Sequence, residues 1–221
     1  MKQSKLFFLV VTGALMLCVL SAAIAAPILC RPFYYAHVSL LDLSAQTPWS
    51  AGEIRAAYDE MMDFCIFGAP FGTGVLRWSE AGMAHFADCA RLFRLDFLVL
   101  ALSALTLLVC SLLRRRGLHP VRPLGRGCAF WAGSSLALLS IVISALAALN
   151  FNTAFVLFHR LFFPGKSNWI FDPVTDQIIL VMPQVFFRNC AILAVALLFL
   201  GCFALVLWDL RSQRRRSKRK E

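Results

Sequence analysis

Two of the chain's four histidines sit among groups that can move protons. His85 lies in "SEAGMAHFADCARLF", with Asp88 three residues on and Cys89 four, so a helix there carries all three on one face. Asp96 follows close to three turns after His85, on the same face again. A carboxylate beside an imidazole orients the ring and favours its charged form. His159 opens a second stretch, "FHRLFFPGKSNWIFDPVTDQIILVMPQVFF", running from Phe158 to Phe187. There Asp172 and Asp176 stand among Phe158, Phe162, Phe163, Trp169 and Phe171. Free imidazole titrates near about 6.5, well matched to general acid–base work at neutral pH. Rings packed around such a group exclude water, a setting that suits attack on a lipid ester.

Other chemistries find less support. The chain has no Cys-x-x-Cys and no His-Glu-x-x-His, and its histidines and carboxylates follow no recognised metal-ligand spacing, so neither a metal nor a cofactor is expected. Gly133-Ser134-Ser135 offers a serine without a histidine at its depth, and small-residue helix packing is the better reading. His37, beside Tyr34 and Tyr35, reads as a structural residue, and His119 as a solvated loop residue.

The elements that must position these groups are membrane helices. The composition is 60% hydrophobic and only 15% charged, too apolar for an ordinary soluble domain. Four apolar runs stand out, at 6–29, 92–113, 127–149 and 185–208. A hydrocarbon core about 30 Å thick needs roughly 20 helical residues, which each run supplies. The expected fold is an all-α membrane protein: four transmembrane helices with a small extracellular cap built from the two outer loops, 30–91 and 150–184. Residues 114–126 form an inner loop that reads as a plain connector, and 209–221 a basic tail; the whole chain, 1–221, is one integral membrane domain. The first run carries Lys2 and Lys5 and ends near Ala23-Ile24-Ala25, but its length favours a retained anchor over a signal peptide.

Charge sets the orientation. Lys2 and Lys5, five arginines between 114 and 126 and seven basic residues after 210 account for fourteen of the 22 Lys and Arg, against Asp209 and Glu221 on the same side. Positive segments stay cytoplasmic, so both termini are expected inside, meeting anionic lipid headgroups rather than nucleic acid. Among eight cysteines only Cys30, Cys65 and Cys89 fall outside, room for at most one disulfide.

Within the outer loops, "WSAGEIRAAYDEMMDFCIFG" places Ile54, Tyr58, Met61 and Met62 at helical spacing, "APFGTGVLR" allows a short strand or hairpin, and Ser79 is the natural N-cap of a helix running on into the second span. At about 1.5 Å per residue, His85 before the second run and His159 after the third both stand roughly 10 Å above the hydrocarbon, among lipid ester carbonyls.

On these residues the chain resembles the lipoprotein intramolecular transacylases, the Lit type. "WSEAGMAHFADCARLF" carries Ser79, His85 and Asp88; the second stretch carries His159, Phe162, Phe163, Trp169, Asp172, Pro173, Asp176, Pro183 and Phe187. The chain departs from many members at Gly82, where they carry an acidic residue, and at Cys89-Ala90, where they carry Val-Lys. The resemblance implies four membrane helices under an extracellular cap, with catalytic histidines at His85 and His159. It implies a diacylated lipoprotein as substrate, whose cysteine α-amino group attacks its own sn-2 ester to give the lyso form. His85 is favoured as the base because Asp88 could hold it. Asp88, Asp172, Asp176 and Ser79 are supporting candidates, and Phe158, Phe162, Phe163, Trp169 and Phe171 are candidates to line the substrate site. A hydrolase acting on another lipid ester and a non-enzymatic four-span scaffold or sensor remain the alternatives. The oligomeric state is open.

Overall fold

The computed structural model describes residues 2–217. Lys218, Arg219 and Lys220, counted above with the basic tail, lie outside the described residues. In chain order the elements are β1 (Lys2–Ser4), α1 (Lys5–Leu29), α2 (Arg31–Leu40), α3 (Leu43–Gln46), α4 (Ala51–Phe67), α5 (Glu80–Arg115), β2 (Leu118–Pro120), α6 (Cys128–Leu149), α7 (Phe151–Phe162), α8 (Ile178–Val181) and α9 (Gln184–Ser217). Four of them, α1, α5, α6 and α9, are long and apolar enough to cross a membrane, so the fold is that of an all-α, multi-pass membrane protein. The chain divides into two compact units.

Among the described residues, the first unit comprises 2–24, 96–146 and 193–217. Its helices meet through small residues. A Cβ on Gly133 would come within 2.6 Å of the Cys202 carbonyl, and one on Gly201 within 2.6 Å of Val19. Close backbone approach of this kind replaces the hydrophobic effect as the source of helix association where lipid is the solvent. It also accounts for Gly133-Ser134-Ser135 as packing. Leu98, Leu102, Leu105, Leu108 and Leu112 are about half exposed along one stripe of α5, as a lipid-facing helix requires. The connector after α5 is not plain: β2 pairs in parallel with β1, His119 opposite Gln3. Two three-residue strands are too short to leave a period in the sequence.

The second unit comprises 25–95 and 147–192. Its core is aromatic and aliphatic. Tyr34 stacks on Tyr58 with centroids 3.8 Å apart, and its hydroxyl donates to the Val181 carbonyl at 2.9 Å. Ile54, Tyr58, Met61 and Met62 all point into this core, as their spacing predicts. Helix α4 starts on a capping box in which Ser50 and Glu53 each bond the other's backbone N–H. It stops at Gly68, whose φ of 73° a residue with a side chain would resist. The segment after it forms no strand or hairpin; it crosses as turns, with Thr73 buried and its hydroxyl donating to the Leu76 carbonyl.

Candidate functional site

Helix α5 begins where Ser79 Oγ accepts the Gly82 N–H at 3.0 Å, the N-cap its sequence predicts. Ser79 is held in turn by Asp176. The backbone N–H donates to the Asp176 carboxylate at 2.8 Å, and the hydroxyl lies 2.9 and 2.8 Å from its two oxygens. Next door, Arg77 and Gln177 exchange two bonds, Gln177 N–H to the Arg77 carbonyl at 3.0 Å and Arg77 N–H to Gln177 Oε1 at 2.8 Å. Ser79 and Asp176 therefore act at a distance from the cavity, fastening the second loop to the start of the helix that carries His85. Gly82 leaves room for this: a Cβ there would collide with the Asp176 carboxylate.

Helix α7 is capped by Asn150, whose side chain accepts the Thr153 N–H, and carries His159 in its last turn. The His85 and His159 rings lie with centroids 5.7 Å apart. Both are buried, at 6% and 7% exposure, and both line a cavity of about 460 Å³. Trp169 stacks on His159 at 4.6 Å, and Phe163 and Phe171 present their edges to His85 at 5.0 and 5.5 Å. Tyr58, Met61 and Phe186 belong to the same lining. The volume lies within the range of small-molecule pockets and is walled almost wholly by hydrocarbon.

Three expectations are corrected. Asp88 does not hold His85: its carboxylate accepts two bonds from Lys166 Nζ, both at 2.6 Å, with Arg91 at 3.0 Å and Asn168 at 3.4 Å. An ammonium outbids a neutral imidazole for a carboxylate. Asp172 is exposed and accepts the Val174 N–H at 2.9 Å, an Asx-turn within its own loop. Phe162 is 47% exposed and stays outside the cavity lining, its ring tilted against Phe158 with centroids 4.7 Å apart. Phe158, Phe163, Trp169 and Phe171 do line it. Cys30, Cys65 and Cys89 are all free thiols.

Sequence reasoning missed two partners and underused a third. Lys166 is the single cation between α7 and α8, a signal of an ion pair. The Phe155 carbonyl, one turn before His159, accepts from His159 Nδ1 at 2.7 Å. Cys89, noted for sharing a face with His85, brings its sulfur to 3.5 Å from His85 Nε2.

These contacts fix protonation. Burial, and the second imidazole across the cavity, push His85 down to about 4, Asp88 opposing and Lys166 reinforcing the shift. Burial also lowers His159, against the pull of the Phe155 carbonyl. Both rings are therefore neutral at pH 7. With Nδ1–H spent on Phe155, His159 keeps a lone pair free on Nε2. Burial favours protonated Asp88, but Lys166, Asn168 and Arg91 win and hold its pKa below the usual range.

The shifts predict an acid-labile second unit. A histidine depressed on folding binds fewer protons folded than unfolded, so stability is undiminished above the free value of 6.5 and falls as the pH drops from there towards about 4. Thermal melts of the purified protein between pH 7 and 4 should show that fall, and His85→Gln should flatten it. An unchanged slope in the variant would refute the shift.

Fold and cavity together define a class: a multi-pass, all-α membrane protein with a paired-imidazole site walled by hydrocarbon. The sequence model of the family described as lipoprotein intramolecular transacylase Lit matches residues 9–187. Solved structures of the membrane integral lipoprotein intramolecular transacylase Lit from Bacillus cereus share the fold. One is 24% identical with a TM-score of 0.81, covering 95% of this chain and 97% of that one. Two variants of it, with one histidine replaced by arginine or by alanine, are each 21% identical with TM-scores of 0.77; they cover 96% and 95% of this chain, and 93% and 94% of their own. No curated protein sequence matches the chain. The chain belongs to the lipoprotein intramolecular transacylase family. It is a membrane-integral acyltransferase of that kind.

Proposed function

We propose that the protein moves the sn-2 acyl chain of a diacylglyceryl-cysteine to the α-amino group of the same cysteine, with His159 as base and His85 as donor to the reacting carbonyl. The observation that carries this reading is the pair of imidazoles, 5.7 Å apart and both buried at an apolar cavity. An α-amine titrates at about 7.7–8.0, so it arrives largely protonated; it sheds one proton to solvent to become a nucleophile and must lose a second to a base as the C–N bond forms. His159 Nε2 has the free lone pair to take that second proton. The amine nitrogen bonds to the ester carbonyl carbon while charge gathers on its oxygen, where an N–H of His85 stabilises it. The tetrahedral centre then expels the glyceryl oxygen, which receives the proton His159 had taken. An amide replaces an ester, and the imidazole returns to its starting state.

The transition state closes a medium ring through N, Cα, Cβ, S, two glyceryl carbons, O and the carbonyl carbon. Such rings close reluctantly, so holding both ends matters; orientation of this kind is worth up to about 7–11 kcal/mol in favourable cases. The Trp169, Phe163 and Phe171 rings supply shape, and they exclude the water that would hydrolyse the ester instead. The excess of positive charge on the termini and the 114–126 loop supports cytoplasmic termini and a site facing the outside of a bacterial plasma membrane.

Expression in cells carrying diacylated lipoproteins tests the proposal. Transfer within one molecule leaves its mass unchanged, so N-terminal peptides must be fragmented. The expected result is N-acyl cysteine with a monoacyl glyceryl thioether. Unchanged diacyl fragmentation despite normal protein levels would overturn it in favour of a scaffold, and loss of one acyl chain as free fatty acid would favour a hydrolase.

A further inference from the structure

Helix α5 places Cys89 one turn beyond His85, and both side chains face the cavity. The sulfur lies 3.5 Å from His85 Nε2, an ordinary distance for a hydrogen bond through sulfur. Across the same ring, Nδ1 is buried with no hydrogen-bond partner among the described residues. One nitrogen of His85 is thus committed to a thiol and the other is left bare among hydrocarbon, on a ring that lines a cavity of about 460 Å³.

We infer that Cys89 is a positioning residue: its S–H donates to Nε2, fixes the His85 tautomer, and leaves Nδ1–H as a preformed donor for the ester carbonyl oxygen. This rests on the reaction proposed above and deepens it.

Two physical arguments set the direction of that bond. The contact holds a single proton, supplied either by sulfur or by Nε2. An imidazole lone pair is a far better acceptor than a thiol sulfur, so the arrangement S–H···N is the stronger. The second argument is charge. Burial pushes the Cys89 thiol up to about 12, with Asp88 adding to the shift, while His85 is driven down to about 4. The thiolate–imidazolium alternative is therefore closed, and the pair stays neutral with the proton on sulfur. In that tautomer the other nitrogen must carry the ring's own hydrogen. An N–H buried without a partner is an unfavourable state that a substrate oxygen relieves, and most fully when that oxygen carries charge.

Neither ring nitrogen needs to change its proton during the reaction. His85 stays neutral, with Cys89 locking one side and the substrate satisfying the other, while His159 does all the proton carrying. The two histidines thereby differ in what orients them: a backbone carbonyl leaves His159 with a free acceptor, and a thiol leaves His85 with a free donor. The Phe155 carbonyl takes a hydrogen; the Cys89 thiol gives one.

Nitrogen-15 NMR of histidine-labelled protein in detergent tests this without any change at Cys89, the His85 signals being assigned by their absence from His85→Gln. The expected result is a neutral His85 with hydrogen on Nδ1; hydrogen on Nε2 would overturn the inference. Turnover of a synthetic diacylglyceryl-cysteine peptide supplies the second readout. Cys89→Val removes the donor at similar size and should lower kcat at least about tenfold, towards the 10²–10³-fold cost of losing an oxyanion donor, with KM little changed. Cys89→Ser keeps a hydroxyl donor and should restore most of the rate. Equal losses in Val and Ser, with tautomer unmoved in both, would overturn the inference, as would an acyl thioester trapped on Cys89 during turnover. Failure here is separable from failure of the reaction itself: His85→Gln and His159→Gln would still abolish transfer if only the role of Cys89 were wrong, and would not if the histidine pair were.

Discussion

His159→Gln is expected to lower transfer by about 10²–10⁴-fold, the usual contribution of a general base, with folding intact. Glutamine keeps an amide that can donate to the Phe155 carbonyl, as His159 Nδ1–H does. It keeps apolar contact with Trp169, which stacks on the histidine at 4.6 Å. What it lacks is a lone pair of useful basicity near pH 7. The loss should therefore appear in kcat, measured as N-acyl product per enzyme in lipid-reconstituted protein, while the melting temperature stays close to that of the unmodified chain. His85→Gln makes a different loss. It removes a donor to the carbonyl oxygen rather than the base, which costs about 10²–10³-fold. The two variants consequently separate the roles. A larger loss at position 85, with His159→Gln retaining most activity, would exchange them and restore the assignment favoured by sequence alone.

Why the sequence favoured the wrong partner is a matter of distance along the chain. His85 and Asp88 are neighbours on one helix face, and that nearness is visible in the letters. Lys166 reaches Asp88 from 78 positions away, brought there by a turn at Gly165 with φ 72°. No periodicity reports such an approach. The histidine pair was legible for the opposite reason: each is a counted number of helical residues from an apolar run, so depth could be estimated for both. The aromatics were legible as a group but not one by one. Helix α7 ends at Phe162, and the next residue leaves helical geometry with φ −127°; that single step sends Phe163 inward to 4% exposure and leaves Phe162 half exposed. Helix α2 was readable and went unread: Pro32 sits in its first turn, and Tyr34, His37 and Val38 follow at helical spacing, all buried. His37 is structural, its Nδ1 2.7 Å from the Phe33 carbonyl and its Nε2 3.0 Å from Asn189.

Asp176→Ala is expected to destabilise the second unit by about 2–4 kcal/mol, since hydrogen bonds to a charged group contribute about 1.5–3 kcal/mol each and are not additive. The carboxylate is 5% exposed and receives the Ser79 N–H, the Ser79 hydroxyl and the Thr175 hydroxyl. Alanine leaves the Ser79 N–H without an acceptor and opens a void beside Gly82, whose missing side chain exists to admit that carboxylate. At about 2–4 °C per kcal/mol for a chain of this size, the melting temperature in detergent should fall by about 5–15 °C. Asp176→Asn keeps an acceptor oxygen and should lose less. Gly82→Ala approaches the same lock from the other side, pushing the carboxylate away from Ser79, and should destabilise in the same direction. Activity should decline with a raised KM rather than a lost kcat, because the bonds fasten the loop bearing Trp169 and Phe171 to the helix bearing His85 without touching the reacting atoms. If Asp176→Ala melts within a degree of the unmodified protein, the loop is held by its aromatic packing alone, and the carboxylate must then be sought a role in the chemistry instead.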